Sequence, residues 1–377
     1  MPRPLLLTDA DVFAGTERHM LDLAQALCRM EVPVRIACPT PSPLAERSAG
    51  RGIGVVDMPK RGLVDFAAVR RLAEMLRAGE IDVIHAHNGR THLAAALAVS
   101  RAGRGSCVAT QHFLAPSRTG RRGPKAWLSN AAHHWVSRRT ARFIAISQAV
   151  RQEAVRRDPE EEARFAVVLN GIEPPEAGGL KAAAEVRREL GVAGDAPLIV
   201  CAARLQVEKD IPTLIHAMKA VGEEFPQARC VVAGEGDQRE MLDRMIHDSG
   251  LRDKVRLLGF RADVLDLMNA GDVFVLPSVA EPFGLVILEA MALGKAVVAT
   301  RAGGPCEIVE EGVTGLLGAP KDSGEMGAAL LRLLRDPAVR AAYGEAGRRR
   351  FWERFTAQRM AAETLAVYHA AVKGASA

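Results

Sequence analysis

What most constrains the fold of this chain is the texture of its apolar runs, which are short, unbroken and separated by helical periodicity. "PLLLT" leads into "TERHMLDLAQALCRM", where Met20, Leu23, Ala24 and Leu27 share one helical face. "VPVRIAC", "GIGVVDM", "IDVIHAH", "SCVATQH" and "ARFIAIS" follow, interleaved with helices through "FAAVRRLAEMLR" and "THLAAALAVSR". The rhythm restarts with "PLIVCAAR", "ARCVVAG", "VRLLGF", "DVFVLPS" and "AVVAT", again with helices between them. Strands that are apolar at every position are covered on both faces, which calls for parallel sheets between layers of helix.

A chain of 377 residues has room for two such sheets. Pro and Gly cluster without periodicity in "NGIEPPEAGG", residues 170–179, which predicts the break there. Two Rossmann-like domains are therefore expected, residues 1–173 and 174–352, each taking ligands at the carboxyl ends of its strands. A last helix through "TAQRMAAETLAVYHAA", within 353–377, is expected to pack back on the first domain. The composition, 48% hydrophobic and 25% charged, is that of a soluble globular protein. The longest apolar runs fall short of a membrane span, and "MPRPLLLTDAD" lacks a signal-peptide core. Cys28, Cys38, Cys107, Cys201, Cys230 and Cys306 show no metal spacing, so they are expected to be reduced core residues of a cytosolic protein.

Two loops suit a phosphate. "DADVFAGTERH" carries the first strand into the first helix, and Gly15 lets an anion approach the free N–H groups of the helix start. "ARLQVEKD" places Arg204 and Lys209 after a strand of the second half, a planar fork and a point charge that fit a diphosphate. Both loops also admit a purely structural or solvated reading. "GEGDQR" fails as a dinucleotide fingerprint because Arg239 stands at the third glycine. The "DAD" at 9–11 and the "HAH" at 85–87, two His with no third ligand nearby in the sequence, do not support a metal. The stretch "EPFGLVILEA" is the sharpest signal: Glu281 and Glu289 sit eight apart in apolar company, where carboxylates need a partner or a use.

Taken together, "PSVAEPFGLVILEAMALGKAVVATRAGGPCEIVEEGVTGLL", "AGTERH", "DVIHAH", "TQH", "AISQAV", "LNGIE", "ARLQVEKD" and "GEG" resemble the retaining glycosyltransferases of family 4. The resemblance covers nearly the whole chain. It implies the GT-B fold, two Rossmann-like domains facing each other across a cleft, and a nucleoside diphosphate sugar as donor substrate with no cofactor and no metal. By the same resemblance Arg204, Lys209 and the Gly15 backbone hold the diphosphate, and Glu289 takes the ribose hydroxyls. Glu281 contacts the transferred sugar, and Phe283, Gly284 and Leu285 offer backbone N–H groups to the sugar and distal phosphate. Phe260 and Arg261 lie near the base, and His112 serves the sugar from the first domain. Glu281, His112, Arg204 and Lys209 are the implied catalytic residues. With no evident nucleophile, front-face retention is favoured. The chain departs from the family at Ala14, Phe113, Asp210 and Glu173, none of them a donor-site residue.

The implied reaction is transfer of a hexose-type sugar, from UDP or GDP, to a glycan or lipid-linked acceptor in bacterial cell-surface polysaccharide, lipopolysaccharide or glycolipid synthesis. A nucleotide-sugar epimerase of the same fold and a non-catalytic scaffold are the alternatives. Charge adds a further expectation. Between Asp82 and Glu153 there is no acidic residue but there are eleven Arg or Lys, a bias that suits an anionic partner. No nucleic-acid motif accompanies it. Arg121, Arg122, Lys125, Trp127 and Trp135 fall in its densest part, and Trp127, Leu128 and Trp135 could share a helical face suited to anionic headgroups. A solvated helix with its Trp residues in the core is the alternative. The expectation is a cytoplasmic enzyme docking peripherally on the inner membrane through this acceptor-side face.

Overall fold

The computed structural model describes residues 1–59, 65–114 and 124–375, with backbone alone at 124–129, 177 and 375. Met1–Glu173 with Thr356–Ala377 form one compact unit, and Pro174–Phe355 form the other.

The first unit is built on strands β1 (Pro4–Leu7), β2 (Arg35–Cys38), β3 (Gly54–Asp57), β4 (Val83–Ala86), β5 (Ser106–Gln111), β6 (Arg142–Ala145) and β7 (Phe165–Val167). They pair in parallel in the order β3-β2-β1-β4-β5-β6-β7. Both faces of β1 are dry. Leu6 joins a cluster with Met20, Leu23 and Leu27 of helix Gly15–Arg29 and with Met360, Ala361 and Tyr368 of helix Ala357–Ala375. Leu5 and Leu7 point the other way, toward Leu72 and Leu76 of helix Phe66–Arg77 and Ala95 and Ala98 of helix Gly89–Ala102. Each fully buried Leu contributes about 1.5–3 kcal/mol, so the three residues of one short strand anchor two helical layers. The last helix thus returns to the first unit, as its apolar face required.

The second unit carries β8 (Leu198–Ala202), β9 (Arg229–Ala233), β10 (Val255–Gly259), β11 (Val273–Leu276), β12 (Ala296–Thr300) and β13 (Gly315–Gly318). Their parallel order is β10-β9-β8-β11-β12-β13. Leu214, Met218 and Val221 of helix Ile211–Glu224 follow the helical repeat and meet Leu330 and Leu333 of helix Ser323–Arg335 over this sheet. In both units the strand order reverses once, between β1 and β4 and between β8 and β11. At such a point the two flanking loops diverge and leave a crevice.

One expectation is corrected here. Cys38, Cys107, Cys201 and Cys230 are buried, but Cys28 and Cys306 are exposed, on the outer side of helix Gly15–Arg29 and in the turn after β12. The strands β7 and β13, "FAV" and "GLLG", were not expected from the apolar pattern.

Candidate functional site

The loops leaving β8 and β11 meet at the second unit's crevice. "ARLQVEKD" leaves β8 and is held by backbone bonds from Leu205 N–H to the Glu235 carbonyl and from Gln238 N–H to the Leu205 carbonyl. Asp210 then adopts a left-handed conformation with φ of 46°. Asp tolerates the conformation better than most residues, and its carboxylate accepts from the Thr213 hydroxyl at 2.6 Å as helix Ile211–Glu224 begins. The turn aims Lys209 inward.

Lys209 Nζ donates to Glu281 Oε2 at 2.6 Å, and Ser278 Oγ donates to the same oxygen at 3.1 Å. Both charged side chains are largely buried, at 15% and 9% exposure. A buried pair of this kind is weak evidence for stability, because desolvation offsets much of the attraction. Losing either member alone would strand the other. The loop bearing Glu281 is clamped by backbone: Glu281 N–H donates to the Ala302 carbonyl, and Gly304 N–H to the Glu281 carbonyl. Gly304 permits this, since a Cβ there would stand 2.2 Å from the Phe283 Cα. Phe283 is buried against Phe355, and Gly284, at φ of 106°, turns the chain into helix Leu285–Ala292. Glu289 is half-buried, one turn inside that helix.

The remaining residues expected at the donor lie further out. Arg204 is 61% exposed and pairs with Glu208 at 3.3 Å. Phe260 is exposed. Arg261 is bound by Asp263 at 2.6 Å and Glu189 at 2.9 Å, and those carboxylates hold its guanidinium still more firmly in the charged form. Its fork is engaged within the protein.

The first unit's crevice has a different character. Gly15 begins the first helix, exposed as an anion site requires. Ala14 has no side-chain oxygen to cap it, so only the return half of a capping box forms. The buried Glu17 carboxylate accepts from the Ala14 N–H at 3.1 Å. Burial raises the Glu17 pKa. Nearby is a hollow of about 600 Å³ lined by Asp9, Ala10, Asp11, Asn88, Gly89, Arg90 and Leu93. Asp9 binds Asn88 Nδ2 at 2.8 Å and Arg90 Nε at 2.8 Å.

Deeper in the same unit the "HAH" histidines are buried and hydrogen-bonded, but more imidazoles surround them than the sequence showed. His87 and His85 do have further imidazoles beside them: His19 from the first turns of helix Gly15–Arg29, and His112 from the end of β5. All four are buried. His85 is fully engaged, with Nδ1 at 2.7 Å from the Tyr368 hydroxyl and Nε2 at 2.6 Å from the Thr110 hydroxyl. His87 Nδ1 and His112 Nε2 lie 3.0 Å apart. Burial holds His19 neutral with its pKa lowered to about 4, Asn170 working weakly the other way. Burial likewise pushes His85, His87 and His112 well below the usual imidazole range.

Against this geometry, residues 13–175 match the family described as Glycosyltransferase Family 4, and residues 183–350 that described as Glycosyl transferases group 1. An uncharacterized glycosyltransferase of Methanocaldococcus jannaschii is 32% identical over 79% of this chain and 78% of its own. The chain is a GT-B glycosyltransferase of the family 4 type. The Anabaena protein HepE, in a crystal with UDP, is 25% identical and superimposes with a TM-score of 0.82 over 97% of this chain and 100% of its own. A Rickettsia africae glycosyltransferase shares the fold, with a TM-score of 0.85 at 18% identity over 99% of each chain.

Within the glycosyltransferase, the structure brings Lys209 and Glu281 into contact and places Phe283, Gly284 and Leu285 at the start of one helix. Arg204 and Arg261 pair instead with other carboxylates, Glu208 for the one and Asp263 and Glu189 for the other. Sequence reasoning missed Ser278, the third member of the Glu281 contact, and the convergence of His19, His85 and Tyr368 behind His112. His19 left a trace as the last residue of "AGTERH" and His85 as the first of "HAH", but nothing in the sequence joined them to Tyr368. Of the basic segment, Arg121 and Arg122 lie outside the described residues, as do the side chains of Lys125 and Trp127. Trp135 is half-buried in helix Pro124–Arg138, with Arg139 stacked 3.8 Å over its ring.

Proposed function

We propose that this glycosyltransferase moves a hexose-type sugar from a UDP- or GDP-linked donor to a glycan or lipid-linked acceptor, with retention and without a metal. The observation that carries the reading is the buried Lys209–Glu281 pair at the end of the second unit's central strands. An ammonium fixed there can meet the charge that develops on a departing diphosphate, the role a divalent ion takes elsewhere. Glu281 orients that ammonium, and a carboxylate has acceptor capacity left for sugar hydroxyls. Arg204 adds a second cation at the rim and Glu289 takes the ribose. Leu285 and Gly284 offer N–H groups at a helix start, and Phe260 lies exposed for the base. His112 is the sugar's hydrogen-bond partner on the first unit.

The bond from the anomeric carbon to the donor's phosphate oxygen breaks as the acceptor oxygen bonds on the same face. The acceptor's proton passes to the departing phosphate. HepE, which has also been crystallised with UDP-glucose at 26% identity to this chain, supports a nucleotide-sugar donor. A lipopolysaccharide core glycosyltransferase of Rhizobium meliloti, 32% identical over 45% of this chain, supports a cell-surface glycan as product. Among the described residues no helix is long and apolar enough to cross a membrane. The enzyme is cytoplasmic and docks on the inner membrane through Arg121, Arg122, Lys125, Trp127 and Trp135.

A donor panel read by release of nucleoside diphosphate tests the core of this reading. One donor should be preferred, turnover should be unchanged by EDTA, and the product should keep the donor's anomeric configuration. An inverted product, an interconverted donor or rescue by manganese overturns it. Vesicle co-sedimentation tests docking: binding should need anionic lipid and weaken with salt.

A further inference from the structure

We propose that His19, His87 and His112 form a binding site for a zinc-class divalent cation, sharing His112 with the sugar site proposed above. One ring nitrogen from each lies within 4.8 Å of the other two, and all three residues are buried. Two of the three rings carry poorly satisfied nitrogens. Neither nitrogen of His19 has a hydrogen-bond partner among the described residues, nor has Nε2 of His87. Leaving imidazole nitrogens of His19 and His87 poorly satisfied in one buried place is costly, which points to a ligand that takes lone pairs.

The chemistry selects the ion. Three neutral imidazoles with no carboxylate among them suit zinc, cobalt, nickel or copper and disfavour magnesium or calcium, which seek oxygen. Three protein nitrogens leave a fourth position open. Two ligands of one tetrahedral zinc stand roughly 3.3 Å apart, given metal–nitrogen bonds of about 2.0–2.1 Å. The 3.0 Å between His87 Nδ1 and His112 Nε2 is already close to that. His19, on the first turns of its helix, has to close in by about 1.5 Å at most. His85 is held by Tyr368 and Thr110, and its ring lies tilted against His87 with centroids 4.2 Å apart, so it steadies the site without ligating.

Such an ion takes a nitrogen from His112, so it acts as an inhibitor and not as a cofactor. That half rests on the role proposed above for His112. The test is titration of the metal-free, full-length protein with cobalt(II), followed by its visible ligand-field absorption. A tetrahedral band saturating at one equivalent is expected, displaced by zinc, unaffected by magnesium and lost in His19→Gln. His87→Gln gives the same readout should the first variant fail to fold, as judged by circular dichroism. A featureless titration, or a band that survives both substitutions, overturns the site. Zinc should lower donor turnover at least tenfold in the wild type but not in His19→Gln. A cobalt band without zinc inhibition overturns the coupling to His112 while the site stands.

Discussion

The first unit ends its central strands in imidazoles, the second in an ammonium and a carboxylate, although both sheets reverse at the same topological place. In the second unit Lys209 and Glu281 meet each other as opposite charges in a buried site. In the first, His19, His85, His87 and His112 escape the cost of burial by staying neutral. The fold supplies the crevice twice, and the side chains decide what each crevice can do. A charged pair suits a polyanionic leaving group. A neutral, lone-pair-rich pocket suits hydroxyls or a soft cation.

The comparison breaks most visibly if the ion pair is not the active element. Glu281→Ala should lower turnover roughly 10²- to 10³-fold, the loss typical of removing one preorganised transition-state contact. Binding of the bare nucleoside diphosphate should change far less, because a phosphate oxygen can take the lost carboxylate's place beside Lys209 while the sugar contact has no substitute. Steady-state kinetics beside calorimetry separate the two. Equal losses in both would place Glu281 with the nucleotide and undo the division of roles.

Acid should strike the first unit harder. A buried histidine whose folded pKa is depressed contributes stability that is complete above the unfolded value near 6.5. That stability is lost as pH falls toward the folded value, which is about 4 for His19 and for His92. Each such residue costs at most about 1.4 kcal/mol per pH unit in that window. Asp22, raised to about 6, and Glu161, raised to about 7, act with the opposite sign, since burial makes them take their protons in the folded state first. Five depressed imidazoles outweigh them. Hydrogen exchange between pH 7 and pH 5 should therefore lose protection in Met1–Glu173 before Pro174–Phe355. The reverse order would mean that the carboxylates dominate.

What the sequence disclosed follows the same division. Residues 204–209 and 281–289 are short contiguous stretches, so their roles travel with a local pattern that a reader can match. The histidine cluster gathers positions 19, 85, 87 and 112 and is braced by Tyr368 from the far end of the chain, so only the folded topology brings it together. The doubly wound sheets were legible because buried central strands are mostly unbroken apolar runs, as in β1, β8 and β11. β7 is half-buried and three residues long, and β13 is bracketed by glycines, so neither carries that mark. The engagement of Arg261 by Asp263 and Glu189 was hidden for another reason: a sequence shows which cations are present but not which are already paired.

Glu289 offers a smaller test on the charged side. Glu289→Ala should weaken nucleoside diphosphate binding by about 1–3 kcal/mol, the worth of two lost hydrogen bonds to the ribose, with little change in melting. Calorimetry with UDP and GDP reads it directly. An unchanged affinity would leave Glu289 a structural residue of helix Leu285–Ala292.

The smallest expected effect probes the neutral side. Tyr368 lies in the last helix, fully buried, and its hydroxyl meets His85 Nδ1 at 2.7 Å. Tyr368→Phe keeps the ring that packs in the core beside Met20 and Met360 and removes only that oxygen. His85 then keeps Thr110 on one nitrogen and buries the other without a partner, at a cost of about 1–2 kcal/mol. In a unit of this size that lowers the melting midpoint by roughly 2–8 °C. The loss should be confined to the first unit: hydrogen exchange should quicken in β4, β5 and helix Ala357–Ala375, while nucleoside diphosphate affinity stays as it was. Thr110→Val, which strips the opposite nitrogen of its partner, should reproduce the pattern. A midpoint unmoved by either change would show that the imidazoles rest on packing alone, and that the first crevice, unlike the second, owes nothing to its polar contacts.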